Sequence, residues 1–360
     1  MNAVADSKQK GVALVVVLLI VALISILATQ MISRLQLNVV RAQNIKDNNQ
    51  AYWYALGAEE FARKSLSALV SLSPDNINLS QPWAQTFEYP VEGGGIKAEL
   101  VDMQSCFNLN AINSQANSSN QNPDETDSED ESENEEEQSN TELKPSNPNG
   151  QTQNGRLPSQ QAFHNLMDII VDDSFVVDTV TDSLIDWIDE DDKSSDFGAE
   201  DVDYESLAIP YLAANNTMSS TSELRLINGV QNGSSGQWLN DLLPLVCVLP
   251  ETSLRLNVNT ITNEQAAVLA ALLGDTLDNA QSIISNRPEE GFSKIEDFRT
   301  LPAVTALNLP ANNIEWFAID TKYFKLTTTT QYNDAQFRLT TLFYVGGGSV
   351  TVVRREFGGF

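Results

Sequence analysis

Residues 8–35 read KQKGVALVVVLLIVALISILATQMISRL, and the way this stretch runs on into the chain decides the fold. No residue from Gly11 to Ser33 is charged, and Val12–Leu27 is almost wholly aliphatic. A helix rising about 1.5 Å per residue over such a length crosses a hydrocarbon core of about 30 Å. Lys8 and Lys10 precede it, which marks the amino-terminal side as cytoplasmic and sends the remainder of the chain outside. A cleaved secretory signal would close the apolar run with a small-x-small site. Here Ser25-Ile-Leu-Ala-Thr-Gln-Met31 carries no strong site and no break in helical pattern. Met31, Leu35, Val39, Ala42 and Ile45 recur at helical spacing, and so do Trp53, Leu56, Phe61 and Leu66. The expectation is one helix from about residue 12 to about residue 71, with its first half in a membrane. A plain signal anchor is the alternative on these residues alone.

The rest of the chain carries its charge unevenly. Its 360 residues hold 21 Lys and Arg against 49 Asp and Glu, a formal net charge of −28. Eleven acidic and no basic residues lie between Asp124 and Glu142, and fifteen acidic residues with one Lys lie between Asp168 and Glu205. Those two stretches account for nearly all of the net charge, so a near-neutral protein carries two acidic patches. The first, EDESENEEEQSN at 129–140, sits in Asn/Ser/Gln/Pro-rich sequence over 113–155 and lacks the apolar residues to offset ordering entropy. It reads as a disordered acidic loop. The second is interleaved with Ile169, Val171, Phe175, Val177, Leu184, Trp187 and Ile188 and can fold. A chain this acidic is a poor partner for nucleic acid, whose phosphates need a basic face. One histidine, His164, and two cysteines, Cys106 and Cys247, exclude His-rich and multi-cysteine metal centres.

Beyond the helix, Trp83–Tyr89 and Gly95–Asp102 read as strands around the turn Glu92-Gly-Gly-Gly95. Lys322–Gln331, Ala335–Tyr344 and Ser349–Arg355 read as a carboxyl-terminal meander, with turns at Asn333-Asp334 and Gly346-Gly-Gly348. Ile319–Leu326 shares the strand character. Between the two strand sets the sequence is mostly helical and loop-like.

Basic residues, then Gly11, then an aliphatic run feeding a long helix: this resembles the class III signal of type IV pilins and pseudopilins. The resemblance implies prepilin peptidase cleavage between Gly11 and Val12, N-methylation of the new terminus, and an apolar segment that moves from membrane to filament core. The fifth mature residue in that family is usually Glu, and here it is Val16. A buried Glu needs a partner, and a subunit with Val16 has no such demand, so it can sit at a filament tip. Further motifs narrow the resemblance. They are Asp102-Met-Gln-Ser-Cys-Phe-Asn-Leu-Asn-Ala111, Asp186-Trp-Ile-Asp-Glu-Asp191, Gly198-Ala-Glu-Asp201, Ser222-Glu-Leu-Arg-Leu-Ile227, Leu256-Asn-Val-Asn-Thr260 and Arg287-Pro288 with Gly291-Phe292. In this order they are similar to the general secretion pathway protein K family, the large minor pseudopilins of type II secretion.

That resemblance implies an α+β pseudopilin fold, a long amino-terminal helix packed on an antiparallel sheet, with a large α-helical domain inserted in the sheet. Its divisions would be a leader at 1–11, a transmembrane part at 12–33, helix continuation and first strands at 34–103, the insert at 104–317 and final strands at 318–360. It implies a non-enzymatic subunit anchored once in the bacterial inner membrane with its body in the periplasm. The partners implied are minor pseudopilins I and J, prepilin peptidase and secreted substrate proteins. It also implies calcium in the helical domain. Asp189, Asp191, Asp196, Glu200 and Asp201 crowd one segment, and hard oxygen ligands of this kind suit Ca²⁺. Counting Asp189 as position one of an EF-hand places Ser194 where glycine is required, so the site is irregular. The ligands favoured are Asp189, Asp191, Glu200 and Asp201, with Asp186 and Asp196 in reserve, and a merely solvated acidic surface is the alternative. A glycosidase pair of carboxylates lacks any substrate-binding machinery beside it.

Cys106 and Cys247 each follow an apolar segment, and outside the cytoplasm a disulfide is the default, with two buried thiols as the alternative. Leu254–Thr300 resembles a helix-hairpin-helix module. Its hairpin, Leu273-Gly-Asp-Thr-Leu-Asp278, has two acids where DNA-binding copies offer glycine N–H groups. A membrane-anchored, competence-type DNA receptor is therefore the second reading, and an anchored hydrolase the third. No Ser/His/Asp arrangement or phosphate loop supports the last.

Overall fold

The computed structural model describes residues 12–114, 155–230 and 236–358. The expected leader with Gly11, and nearly all of the acidic loop expected at 113–155, lie outside these residues. Helix α1 runs from Val12 to Leu72. Every residue from Val12 to Lys46 is exposed. Its last third packs on a five-stranded antiparallel sheet of order β1-β2-β7-β8-β9. The strands are β1 Phe87–Val91, β2 Gly94–Asp102, β7 Tyr323–Tyr332, β8 Ala335–Gly346 and β9 Ser349–Phe357. The two-residue turn Asn333-Asp334 joins β7 to β8, with Asn333 at φ 50°, a left-handed conformation that Asn tolerates in tight hairpins.

The buried residues of α1 are Asp47, Ala51, Ala55, Ala58, Glu59, Ala62 and Leu66, so of the large apolar positions that set its periodicity in this part Leu66 alone is buried. Trp53 and Phe61 are exposed. Small side chains let the helix approach the sheet closely, and Phe324, Leu326 and Phe343 fill the space around Ala62 and Leu66. Two polar anchors fix the docking. Thr330 donates its hydroxyl to the Ala51 carbonyl at 2.8 Å. Glu59 is gripped by Arg355 through bonds of 2.8 and 2.7 Å and accepts from Thr341 at 2.7 Å. Burial alone would push the Glu59 carboxyl up, but these donors outweigh it and hold it below the ordinary range.

Trp83 departs from the strand expected at 83–89. It lies in one helical turn, Pro82–Ala84, where Pro82 favours helix initiation and the indole packs edge-on against Phe324 at 5.2 Å.

The long excursion between β2 and β7 is helical, with α2 at Pro158–Ile170, α3 at Ser174–Ile188, α4 at Asp201–Glu205, α5 at Gly236–Leu242, α6 at Ala266–Leu273 and α7 at Leu277–Ser285. It also holds two parallel strand pairs that two-residue segments could not announce: β3 Phe107–Asn108 with β4 Val246–Cys247, and β5 Leu256–Asn257 with β6 Phe317–Ala318. A separate, larger hydrophobic core, including Phe107, Phe163, Leu184, Leu269 and Phe298, holds these elements together.

The root of the insert is a polar knot. The Asp102 carboxylate, at the end of β2, accepts from the Gln104 N–H at 2.7 Å, the Thr260 and Thr321 hydroxyls at 2.6 Å each, and the Asn257 amide at 3.0 Å. Its partners lie just after β2, around β5 and just before β7. One carboxylate therefore ties the outgoing and returning chain together. Beside it, Cys106 and Cys247 form a disulfide with a Cα–Cα distance of 5.8 Å.

Candidate functional site

Helix α3 organises the second acidic patch. Asp173 caps its first turn by accepting from the Phe175 N–H at 3.0 Å. Two later aspartates on one face reach the loop that follows. Asp182 accepts from the Phe197 N–H at 3.2 Å and from Arg156 at 2.7 Å. Asp186, fully buried, accepts from the Ser195 hydroxyl at 2.6 Å and the Ser195 N–H at 3.0 Å. Burial pushes the Asp186 carboxyl up, against the pull of the Ser195 bonds. A Cβ at Gly198 would stand 1.7 Å from Asp186 Oδ2, so only glycine lets the loop close over that carboxylate. Asp186 is thus a positioning residue that wraps the 189–200 loop back onto its helix.

This wrap leaves oxygens without donors. Both carboxylate oxygens of Glu200, Oδ1 of Asp189 and Oδ1 of Asn215 are buried with no hydrogen-bond partner. Glu200 is only 4 % exposed. Its burial, followed by the charges of Asp186, Asp189, Asp201 and Asp192, lifts its carboxyl to about 7. Burial, Asp186 and Asp191 lift Asp189 to about 6. Asn215 sits at φ 43° and donates to Asp192 at 3.2 Å, which ties it to the same cluster.

Of the four expected ligands, Asp189 and Glu200 turn inward. Asp191 accepts from the Lys193 N–H at 3.0 Å and Asp201 from the Ala213 N–H at 2.8 Å, which orders their own backbone. Asp196, one of the reserve pair, is exposed. Among the described residues no group of three or more His, Cys, Asp and Glu side chains converges as a metal cage. Asn215 escaped sequence reading: its only signal there was an Asn-Asn pair in a loop.

The other chemistry-bearing residues have structural partners. His164 lies 3.0 Å from Asp178, which also takes Arg156. Arg287 donates to the Val258 and Ile261 carbonyls at 2.8 Å each, and burial lowers its pKa. The helix-hairpin-helix-like unit is α6, the left-handed Gly274, and α7 capped by Thr276. Its hairpin presents Asp275, which accepts from Asn279 at 3.0 Å. With its arginine turned inside and its tip acidic, the unit does not favour a DNA receptor.

The family model described as "Type II secretion system (T2SS), protein K" matches residues 105–251 and 256–320, which together make more than half of the chain. The chain belongs to the type II secretion system protein K family. Type II secretion system protein K of Aeromonas hydrophila is 34% identical over 98% of both chains, and that of Dickeya chrysanthemi is 33% identical over 98% of both. In the crystal structure of the GspK-GspI-GspJ complex from the enterotoxigenic Escherichia coli type 2 secretion system, a chain aligns with a TM-score of 0.69 at 26% identity. It covers 89% of this chain and 100% of that one. The family is one of structural secretion components. Among the described residues one helix, Val12–Leu72, is long and apolar enough to cross a membrane.

Proposed function

We propose that this chain is a minor pseudopilin that caps the periplasmic pseudopilus of a type II secretion system. In this role it joins two other minor pseudopilins, I and J, to start filament assembly and support export across the outer membrane. The observation that carries this reading is α1 itself. It is apolar and wholly exposed over its first half, and it presents Trp53 at 64 % and Phe61 at 55 % exposure where it meets the sheet. Such surface is stable in a membrane or against neighbouring helices of the same kind. Val16 leaves no orphan carboxylate to satisfy at a tip, where no subunit lies above. Prepilin peptidase would cut between Gly11 and Val12, leaving the helix in the inner membrane and the folded body in the periplasm. Secreted substrate proteins would meet that body.

We also propose calcium for the acidic cluster. Asp189, Glu200 and Asn215 offer the partnerless oxygens that a hard cation takes, and Asp191, Asp192 and Asp201 add negative charge around them. The ion would neutralise carboxylates that otherwise repel each other. Its role would be to fasten the 189–215 segment.

Isolation from membranes with a tag on this chain, after co-expression with both partners, tests the assembly. The expected result is one stoichiometric complex of three subunits. Recovery of this chain free of both partners would overturn the reading.

A further inference from the structure

On the sheet face turned away from α1, the structure points to a second charged feature of opposite sign. Phe324 and Leu326 of β7 point into the core beneath α1, so Lys325 and Thr327 point the other way. Across the ladder, Lys325 pairs with Leu342 and Thr329 with Arg338, while Leu342 pairs with Arg354 and Thr340 with Glu356. These strands bring Lys325, Arg338 and Arg354 to one cavity of about 290 Å³, roofed by Ser220, Thr221 and the Leu243–Val248 segment of the insert. In a chain of net charge −28, three cations meet there with a single carboxylate, Glu356. That carboxylate is spoken for: it forms an ion pair with Arg354, Nε to Oε1 2.9 Å. Arg354 also donates to the Ser219 carbonyl. Neither the Lys325 ammonium nor the Arg338 guanidinium has a hydrogen-bond or salt-bridge partner among the described residues. Burial pushes the Lys325 ammonium below its usual range, and the nearby Arg338 adds to this against the pull of Glu356 and Glu99.

We propose that this cavity, between the sheet and the helical insert, is a binding site for one oxyanion, a carboxylate or phosphate group held by Lys325 and Arg338. A half-buried ammonium and a neighbouring guanidinium, neither with a direct hydrogen-bonded partner, are stabilised by an anion that fits between them. The guanidinium supplies a planar fork and the ammonium a point charge. Hydroxyls of Ser220, Thr221, Thr327 and Thr340 line the same space. The site joins the two halves of the molecule, so an occupant would bridge sheet and insert. The group could arrive as a free ion or on an acidic side chain of another protein.

Calorimetric titration of the full chain in nonionic detergent, at constant chloride, separates these. The probes are inorganic phosphate and a blocked tri-glutamate peptide. The expected result is saturable one-to-one binding of at least one probe. Tighter binding of the peptide assigns the site to a protein carboxylate, and binding of phosphate alone assigns it to a free anion. Lys325→Met keeps the buried stem and should weaken binding at least tenfold. Arg338→Gln, at an exposed position, should do likewise without touching the core. Lys97→Met, on the same sheet face but paired with Glu88, should leave affinity unchanged. No saturable binding of either probe, or an affinity in Lys325→Met and Arg338→Gln unchanged from that of the parent protein, would overturn the proposal.

Discussion

At the residue scale, Glu200 is the most informative side chain. Its carboxyl is buried without a donor and titrates near 7, against 4.5 for an ordinary Glu. A carboxyl with a raised folded-state pKa binds more protons folded than unfolded. Its contribution to stability is therefore fully present below about 4.5 and is lost as pH rises through about 7. In the presence of chelator, taking the protein from pH 8 to pH 5.5 should raise the melting temperature. Saturating Ca²⁺ should remove that dependence. Glu200→Gln removes the repelling charge, so it should stabilise the chelated protein by about 1 kcal/mol and abolish the calcium-induced rise in melting temperature. A variant that still responds fully to Ca²⁺ would remove Glu200 from the site. The sequence showed the crowding of acids. It did not show which of them turn inward, because Asp191 and Asp201 are claimed by the Lys193 and Ala213 N–H groups and such turns follow no period.

At the scale of elements, two buried carboxylates hold the architecture, and they behave differently. Asp102 accepts four hydrogen bonds at the root of the insert. Asp102→Ala would remove the acceptor shared by Gln104, Thr260, Thr321 and Asn257 and leave a cavity at the root of the insert. A loss of about 3 kcal/mol or more is expected, read by denaturant unfolding. A loss below about 1 kcal/mol would mean the insert is rooted elsewhere. Glu59 docks α1 on the sheet through Arg355 and Thr341. Breaking a fully buried pair costs about 3–5 kcal/mol. Arg355 is 43% exposed, so Arg355→Ala should cost about 2 kcal/mol. With its folded pKa depressed, Glu59 contributes stability above about 4.5, the ordinary Glu range, and loses it as pH falls further. Arg355→Ala should flatten that acid limb. An unchanged acid limb would contradict the docking role. The long helix and the three carboxyl-terminal strands were legible because their periods run over many residues. The pairs β3–β4 and β5–β6 were not, since two residues carry no period. The alanine stripe of α1 was hidden behind larger apolar residues on its other faces.

At the scale of the whole molecule, the net charge of −28 divides into regions with different physics. A folded acidic cluster buries carboxylate oxygens that have no hydrogen-bond partner. The opposite side of the sheet gathers cations around a cavity. The first half of α1 is uncharged from Val12 to Ser33, and every residue in it is exposed. Fold and family were both legible in the sequence, because helix, strand sets and insert motifs follow one another in a fixed order. The direction of each side chain at the acidic site needed the tertiary structure. The central claim is that the chain enters a filament assembly as a processed pseudopilin. The most direct measurement is the intact mass of the protein recovered from membranes of cells that contain prepilin peptidase. The account predicts a mature chain beginning at Val12, with residues 1–11 removed and a methyl group on the new amino terminus. A chain that keeps its leader, or one cut beyond the apolar run, would contradict it.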